Sequence, residues 1–295
     1  VPRWTLEINR GMRMLTDDQV QAFRSDGFAV AENFLTQSQV DDLLREADTA
    51  IEGNTLASHD AQRMEMEPDQ PTDGTAVRRL YEPCTYYPVS RALSEMDKLL
   101  DSVAQLFGPD LLFHYSKLNM KPAKVGSVVE WHQDLSYYPM TNRDSLAVLF
   151  YLDDTDTTNG ALKLLPKRHE APLMQHTREG FFQGRVTEEV DEADVELAEG
   201  PAGTAIFMHG LTPHASAPNT SGTPRRTLIL AYRAADAIPL FLGPMTAKHE
   251  THVRLVRGEQ ARQARFDGDG VSLPRYKDEV SSLYDLQKKS REGKT

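Results

Sequence analysis

The sequence predicts a mainly β protein with flanking helices, and three observations carry that expectation. Two capping-box motifs open helical apolar spacing near the N-terminus, β-type runs dominate after residue 110, and 39% apolar with 26% charged residues is the balance of a soluble globular chain. The 295 residues suffice for a core of their own, and no linker or internal repeat divides them. Residues 15–295 are therefore expected to form one domain, with N-terminal helices and a C-terminal helical extension.

Thr16-Asp-Asp-Gln19 and Thr36-Gln-Ser-Gln39 each place a glutamine three residues after a capping threonine, which satisfies backbone groups that a helix start leaves open. The first helix carries Val20 and Phe23 and stops near Gly27; Phe28 to Leu35 reads as a short strand; the second helix carries Val40, Leu43 and Leu44. Residues 53–75 are polar and turn-rich, a surface loop or cover. Helical spacing returns from Val89 to Phe107 and ends at Gly108. Strands are expected at Leu111–Met120, Val128–His132, Leu146–Leu152, Ala161–Leu165, Thr204–Met208 and Thr227–Tyr232. Asn159-Gly160 is a hairpin-type turn signal, so the strands on either side are expected to pair. Thr187 to Glu199 reads as a solvated acidic insertion, and Arg254, Arg257, Arg262 and Arg265 as one exposed helix face.

Charge narrows the partners. Asp plus Glu outnumber Lys plus Arg by 44 to 33, a net charge of -11 that repels nucleic acid and anionic membrane surfaces. No run approaches the ~20 apolar residues that span a bilayer, and the first residues lack a secretory apolar core. Cys84 is the sole cysteine, which excludes an intrachain disulfide and any thiolate cluster for zinc or iron–sulfur. A cytoplasmic protein acting on a small molecule is expected, with neither nucleic acid nor membrane as partner; oligomeric state is not readable. The segment before Met12 or Met14 is left out of the functional reading.

The chemistry concentrates at Trp131-His132-Gln133-Asp134. A histidine and a carboxylate two residues apart at a strand end share a face, and imidazole with carboxylate suits a first-row divalent metal. Such an H-x-D is common by chance, and the metal needs a third ligand from His59, His114, His169, His176, His209, His214, His249 or His252. Context favours His214, which lies just past the strand ending at His209 and before the turn-rich Pro218–Pro224. Arg225-Arg226 then start the returning strand, so one arginine points to the side of His214 and its neighbour points away. Two histidines and one carboxylate leave positions open on Fe(II), and an arginine nearby suits the distal carboxylate of a chelating 2-oxo acid. Zinc would tolerate the ligands but leave the arginine unexplained.

With His132-x-Asp134, Asn159-Gly160 followed by Leu162–Pro166 and His169, Gly203, Phe207, His214-x-Ser216, Asn219 and Arg225-Arg226 together, the sequence resembles the phytanoyl-CoA dioxygenase family. This is a branch of the Fe(II)/2-oxoglutarate oxygenases, and the resemblance runs from Thr16 to about Tyr232. It implies a double-stranded β-helix (jelly-roll) core and a hydroxylase that uses Fe(II), 2-oxoglutarate and O2, releasing succinate and CO2. It implies His132, Asp134 and His214 as iron ligands, Arg225 and Ser216 at the 2-oxoglutarate carboxylate, Asn119 as a co-substrate contact, and Lys117 and Tyr115 as secondary ones. Gly203-Thr204 and Pro166-Lys167-Arg168-His169 depart from the family's Gly-Asp and Pro-Gly-Ser-His without removing a ligand, and Asp134 speaks against the related halogenases.

Alternatives stand beside these roles. His209 competes with His214, His169 reads as a loop histidine, and His114 as packing against the helical layer. Trp131, Tyr137, Tyr138 and Met140 are candidates for the substrate pocket or the core, and Arg78, Arg79 and Tyr81 for an anionic substrate or the surface. A jelly roll that binds or senses a ligand without turnover is the alternative function, and the loops at 53–88, 136–144 and 170–200 leave the substrate open.

Overall fold

Thr16 and Thr36 each accept a hydrogen bond from the backbone of the glutamine three residues on, whose side-chain oxygen accepts from the cap's own N–H. Helices α1 (Asp17–Asp26) and α2 (Gln37–Ile51) start there. Gly27, at φ +88°, ends α1 in the left-handed conformation and turns the chain into β1 (Phe28–Ala31). These elements come from a computed structural model that describes residues 14–124, 127–241, 243, 248–268, 270–277 and 282–293; Met12 lies outside them.

Short strands β2 (Met64–Met66) and β3 (Val77–Tyr81) and helix α3 (Pro83–Tyr86) follow, so the polar stretch 53–75 is loop with one strand inside it. The helical spacing from Val89 to Phe107 resolves into two helices, α4 (Pro88–Ser94) and α5 (Asp97–Phe107), because Met96 is extended. The break lets Leu93 and Leu99 both bury completely.

Strands β4 (Leu111–Lys121), β5 (Val129–His132), β6 (Ser145–Tyr151), β7 (Leu162–Leu164), β8 (Thr177–Arg178), β9 (Phe181–Phe182), β10 (Glu196–Ala198), β11 (Ala205–His209), β12 (His214–Ser216), β13 (Arg225–Ala234) and β14 (Arg254–Arg257) follow. A large antiparallel sheet runs β1-β11-β6-β13-β4-β3-β2, with β14 also against β4, and a smaller one runs β10-β7-β12-β5. The six strands read from the sequence are present. The expected pairing across Asn159-Gly160 is not: β6 lies between β11 and β13, and β7 between β10 and β12. That turn carries the chain from one sheet to the other. Arg254 and Arg257 lie on β14 and not on a helix, while Arg265 gathers Asp236 and Asp267. The acidic run 187–199 is mostly irregular and ends in β10.

Period-two alternation divides the large sheet. Leu118, Val148, Phe150, Phe207, Leu228 and Leu230 face the helices with Leu43, Leu93 and Leu99. Leu149, Tyr151, Ile206 and Ile229 face the smaller sheet's Leu162, Leu164 and Ala198. The Tyr151 hydroxyl stitches the layers, donating to Ala198 O at 2.7 Å and accepting from Leu162 N at 3.3 Å. Two facing antiparallel sheets with helices on one outer face form a jelly-roll core, a double-stranded β-helix.

A bulge in β4 corrects one expectation. Ala231 stands opposite Tyr115 and Tyr232 opposite Phe113, so His114 is the extra residue. Phe113 joins the helical core, whereas His114 leaves it and sits against Tyr138 and His249, with ring centroids 5.1 and 5.9 Å away. Among the described residues no helix is long and apolar enough to cross a membrane.

Phe207 is fully buried and meets the Phe34 ring edge-on at 5.5 Å. Phe207→Ala is expected to lower unfolding free energy by about 3–5 kcal/mol in urea titration. A loss under about 1 kcal/mol would mean that this layer is not close-packed.

Candidate metal centre

β5 delivers His132 to the end of the smaller sheet, Gln133 continues extended, and a single 3₁₀ turn, Asp134–Ser136, swings the carboxylate back. On the neighbouring strand β12, His214 stands directly opposite His132, with ring centroids 4.1 Å apart. Asp134 Oδ1 lies 3.7 Å from His132 Nε2 and 3.9 Å from His214 Nε2. Three ligand atoms, one from each residue, lie within 4.8 Å of one another, and all three residues are buried.

The backbone sets the tautomers. His132 Nδ1–H donates to Glu130 O at 2.8 Å and His214 Nδ1–H to Thr212 O at 3.0 Å, which leaves each Nε2 lone pair turned toward Asp134. Burial pushes both imidazole pKa values down, and the Asp134 charge partly offsets this at His214. Neutral imidazole is the ligating form, so two Nε2 atoms and one carboxylate form a donor set that could hold a ferrous ion on one face. The loop is braced as well. Gln133 Nε2 donates to Leu211 O, its Oε1 accepts from Met174 N, and its backbone N–H donates to His176 Nε2.

Arg225 is buried on the inner face of β13. Its Nη2 donates to Gly160 O at 2.6 Å, and its Nε has no partner among the described residues. Gly160 (φ +90°) is itself packed against Ala217, where a Cβ would lie 2.6 Å from Ala217 O. Arg226 faces the other way and clasps Asp153 at 2.7 Å, as the alternation requires. Thr227 Oγ1 and Arg79 Nη2 are also buried without a partner among the described residues. Each orphan of this kind costs about 1–3 kcal/mol unless a ligand satisfies it. A dicarboxylate co-substrate would fit the Arg225 and Thr227 donors. Ser216 shares a face with His214, and Asn119 stands across from Thr227, its Oδ1 accepting from Arg79 Nε at 2.8 Å.

A cavity opens on His132 and Asp134, and Tyr115, Lys117, Tyr137, Tyr138 and Arg79 line it as candidates from the sequence. The Tyr115 and Tyr138 hydroxyls are 2.8 Å apart. Three substrate candidates lie elsewhere. Trp131 Nε1 donates outward to Glu192 at 2.8 Å, because Trp131 alternates with His132 on β5. Met140 is buried beneath Tyr138 and lines a separate cavity with Pro139 and Leu173. Arg78 is held by Glu67 at 2.8 Å and by Ser127. Ser216, Asn119 and Arg225 are not on the wall of this cavity.

The remaining histidines are accounted for. His209 packs with Phe23, Phe107 and His169, and burial pushes its pKa down to about 3. His59 bonds local carbonyls, and His252 meets Tyr86 edge-on at 5.9 Å. His249 stacks on Tyr115 at 4.1 Å and belongs to the cavity wall. Ser116, Lys248, Ser282 and Leu283, also on that wall, were not anticipated. Of these only Ser282 carried a signal, a serine three residues before Asp285 that caps the helix Leu283–Arg291.

The model of the family described as phytanoyl-CoA dioxygenase matches residues 23–227. A probable alpha-ketoglutarate-dependent hypophosphite dioxygenase of Stutzerimonas stutzeri is 31% identical over 230 residues, 76% of this chain and 80% of that protein. An ectoine dioxygenase of Bordetella bronchiseptica is 25% identical over 241 residues, 75% of this chain and 76% of its own. Among solved structures, EctD from S. alaskensis with bound Fe aligns at TM-score 0.65 and 22% identity over 84% of this chain and 88% of its own, a shared fold.

Gly27 links α1 to the centre: its carbonyl accepts from Thr212 Oγ1 at 2.8 Å, and Thr212 O orients His214. A Cβ at Gly27 would lie 2.5 Å from Thr212 Oγ1 and 2.7 Å from the His169 ring. Gly27→Ala is expected to cost about 1–3 kcal/mol of stability and to weaken metal binding about 10- to 100-fold in Co(II) absorbance titration. Unchanged Co(II) affinity would show that Thr212 does not set the His214 ring.

Proposed function

Because the chain belongs to the phytanoyl-CoA dioxygenase family, we propose that His132, Asp134 and His214 hold Fe(II) and that Arg225 holds the distal carboxylate of 2-oxoglutarate. The protein is a non-haem iron, 2-oxoglutarate-dependent dioxygenase of the jelly-roll class that acts on a small molecule. The observation that carries the ligand assignment is the convergence of two Nε2 lone pairs and one carboxylate, each imidazole locked by a backbone carbonyl.

Bound there, iron and 2-oxoglutarate supply oxidative decarboxylation to succinate and CO2, coupled to oxidation of a substrate C–H bond. The chain supplies position and exclusion. Arg225 offers an unpaired Nε beside Thr227 Oγ1, and Ser216 adds a hydroxyl on the His214 side. Asn119 and Lys117 follow one another on the same inner face of β4, with Tyr115 next along it. Burial depresses the Lys117 amine to about 8, so it carries its charge below that pH and loses it above. Tyr137 and Tyr138 close the wall against solvent.

Anaerobic Fe(II) with 2-oxoglutarate is expected to give a visible charge-transfer band that His214→Ala abolishes. Arg225→Gln is expected to raise the 2-oxoglutarate concentration at half-saturation by about 10- to 100-fold. Absence of the band, with His132→Ala indistinguishable from the parent, would point to a jelly roll that binds without turnover. The wild-type affinity for 2-oxoglutarate should fall as pH rises through about 8, and Lys117→Met should flatten that slope. An equal slope in both proteins would remove Lys117 from the co-substrate site.

A further inference from the structure

Three cations line the cavity beside the candidate metal centre: Arg79 from β3, Lys117 from β4 and Lys248 from the stretch just before β14. None has a carboxylate within ion-pair distance among the described residues, although Asp134 shares the wall and two further carboxylates stand close by. Glu65 takes the Tyr81 hydroxyl at 2.9 Å, the Ser282 hydroxyl at 2.8 Å and Arg78 at 3.5 Å. Glu82 takes the Ser116 N–H at 2.9 Å and faces His249 Nδ1 at 3.3 Å. Both acids spend their oxygens on the wall and reach the cations through space, Glu65 favouring the charged Arg79 and Lys248 and Glu82 the charged Lys117 and Lys248. Arg79 carries the open donor. It is 3% accessible, its Nε is held by Asn119 and its guanidinium lies 4.8 Å from the Tyr284 ring, yet Nη2 has no partner among the described residues. The Lys248 amine lies 3.7 Å over the Tyr81 ring on the same wall.

The geometry points to a second oxyanion subsite, distinct from the Arg225 corner, in which Arg79 and Lys248 hold the anionic head of the substrate. The substrate class is then a small organic carboxylate, phosphonate or sulfonate. Its reacting carbon lies toward His132 and Asp134, which share the cavity with these cations. An oxyanion satisfies the free Arg79 Nη2 with a charge-assisted hydrogen bond. The aromatic wall of Tyr81, Tyr115 and Tyr138 receives the apolar part.

The inference rests on the dioxygenase reading above, and the test separates the two. Succinate release is measured with short alkyl carboxylates, phosphonates and sulfonates, each beside its neutral methyl ester and a trimethylammonium compound of equal length. The oxyanions are expected to stimulate release, and the neutral and cationic compounds are not. For the best oxyanion, Arg79→Met should raise KM about 10- to 100-fold and Arg79→Lys should recover part of the loss. The anaerobic 2-oxoglutarate titration should stay within about two-fold of wild type in both variants. Stimulation by neutral or cationic compounds alone, or no stimulation by any oxyanion while the charge-transfer band forms, overturns the subsite. So does a shifted 2-oxoglutarate titration in Arg79→Met, which would assign Arg79 to the co-substrate. A missing band in the wild type removes the dioxygenase reading and this inference with it.

Discussion

The site depends on one strand register. His132 on β5 and His214 on β12 are directly opposed, and His214 is itself opposed to Leu164 on β7. Leu164 is fully buried between the sheets, so a slip of one residue would turn it outward and turn the imidazoles away from each other. The apolar packing that holds the jelly roll together thus also holds two proposed ligands, separated by 82 positions in the chain, within reach of one ion. The third needs only the turn after His132, which is why His-x-Asp suffices at that end.

Behind this register lies a set of backbone carbonyls. Glu130 O and Thr212 O fix the two rings, and Gly27 O fixes Thr212 in turn, so helix α1 reaches the centre without contributing a ligand. Such indirect supports matter because metal affinity depends on ligands that are already turned the right way. They also tie the short α1–β1 connection to the proposed metal centre, since the glycine that stops the helix is the one whose carbonyl is used.

The interior concentrates positive charge in a chain that is acidic overall. Half-buried Lys117 and buried Lys121 share a face of β4, and desolvation pushes their amines down to about 8 and about 6. Lys121 satisfies itself on the carbonyls of Ser127 and Ala217. Arg225, Arg79 and Lys117 keep donors directed inward instead. A net charge of -11 describes the surface that meets solvent and says nothing about this cavity. The basic cluster was therefore invisible to composition, since its members come from three separate parts of the chain.

Local sequence determined the helix starts at Thr16 and Thr36, the six β-type runs, the His132-x-Asp134 pair, and the opposite facing of Arg225 and Arg226. Each follows from capping or from period two, which act over a few residues and need no knowledge of the rest of the chain. Tertiary structure decided what short-range rules cannot reach. It set β6 and β7 in different sheets, and broke one apparent helix at Met96 so that both halves could bury leucines. At His114 a bulge reversed the facing of the strand. Trp131, Met140 and Arg78 left the pocket for partners at Glu192, the core and Glu67, while Lys248, Ser282 and Leu283 entered it from the C-terminal region. Burial and pairing between distant segments chose these outcomes, and that energy is absent from any window of sequence short enough to read by pattern.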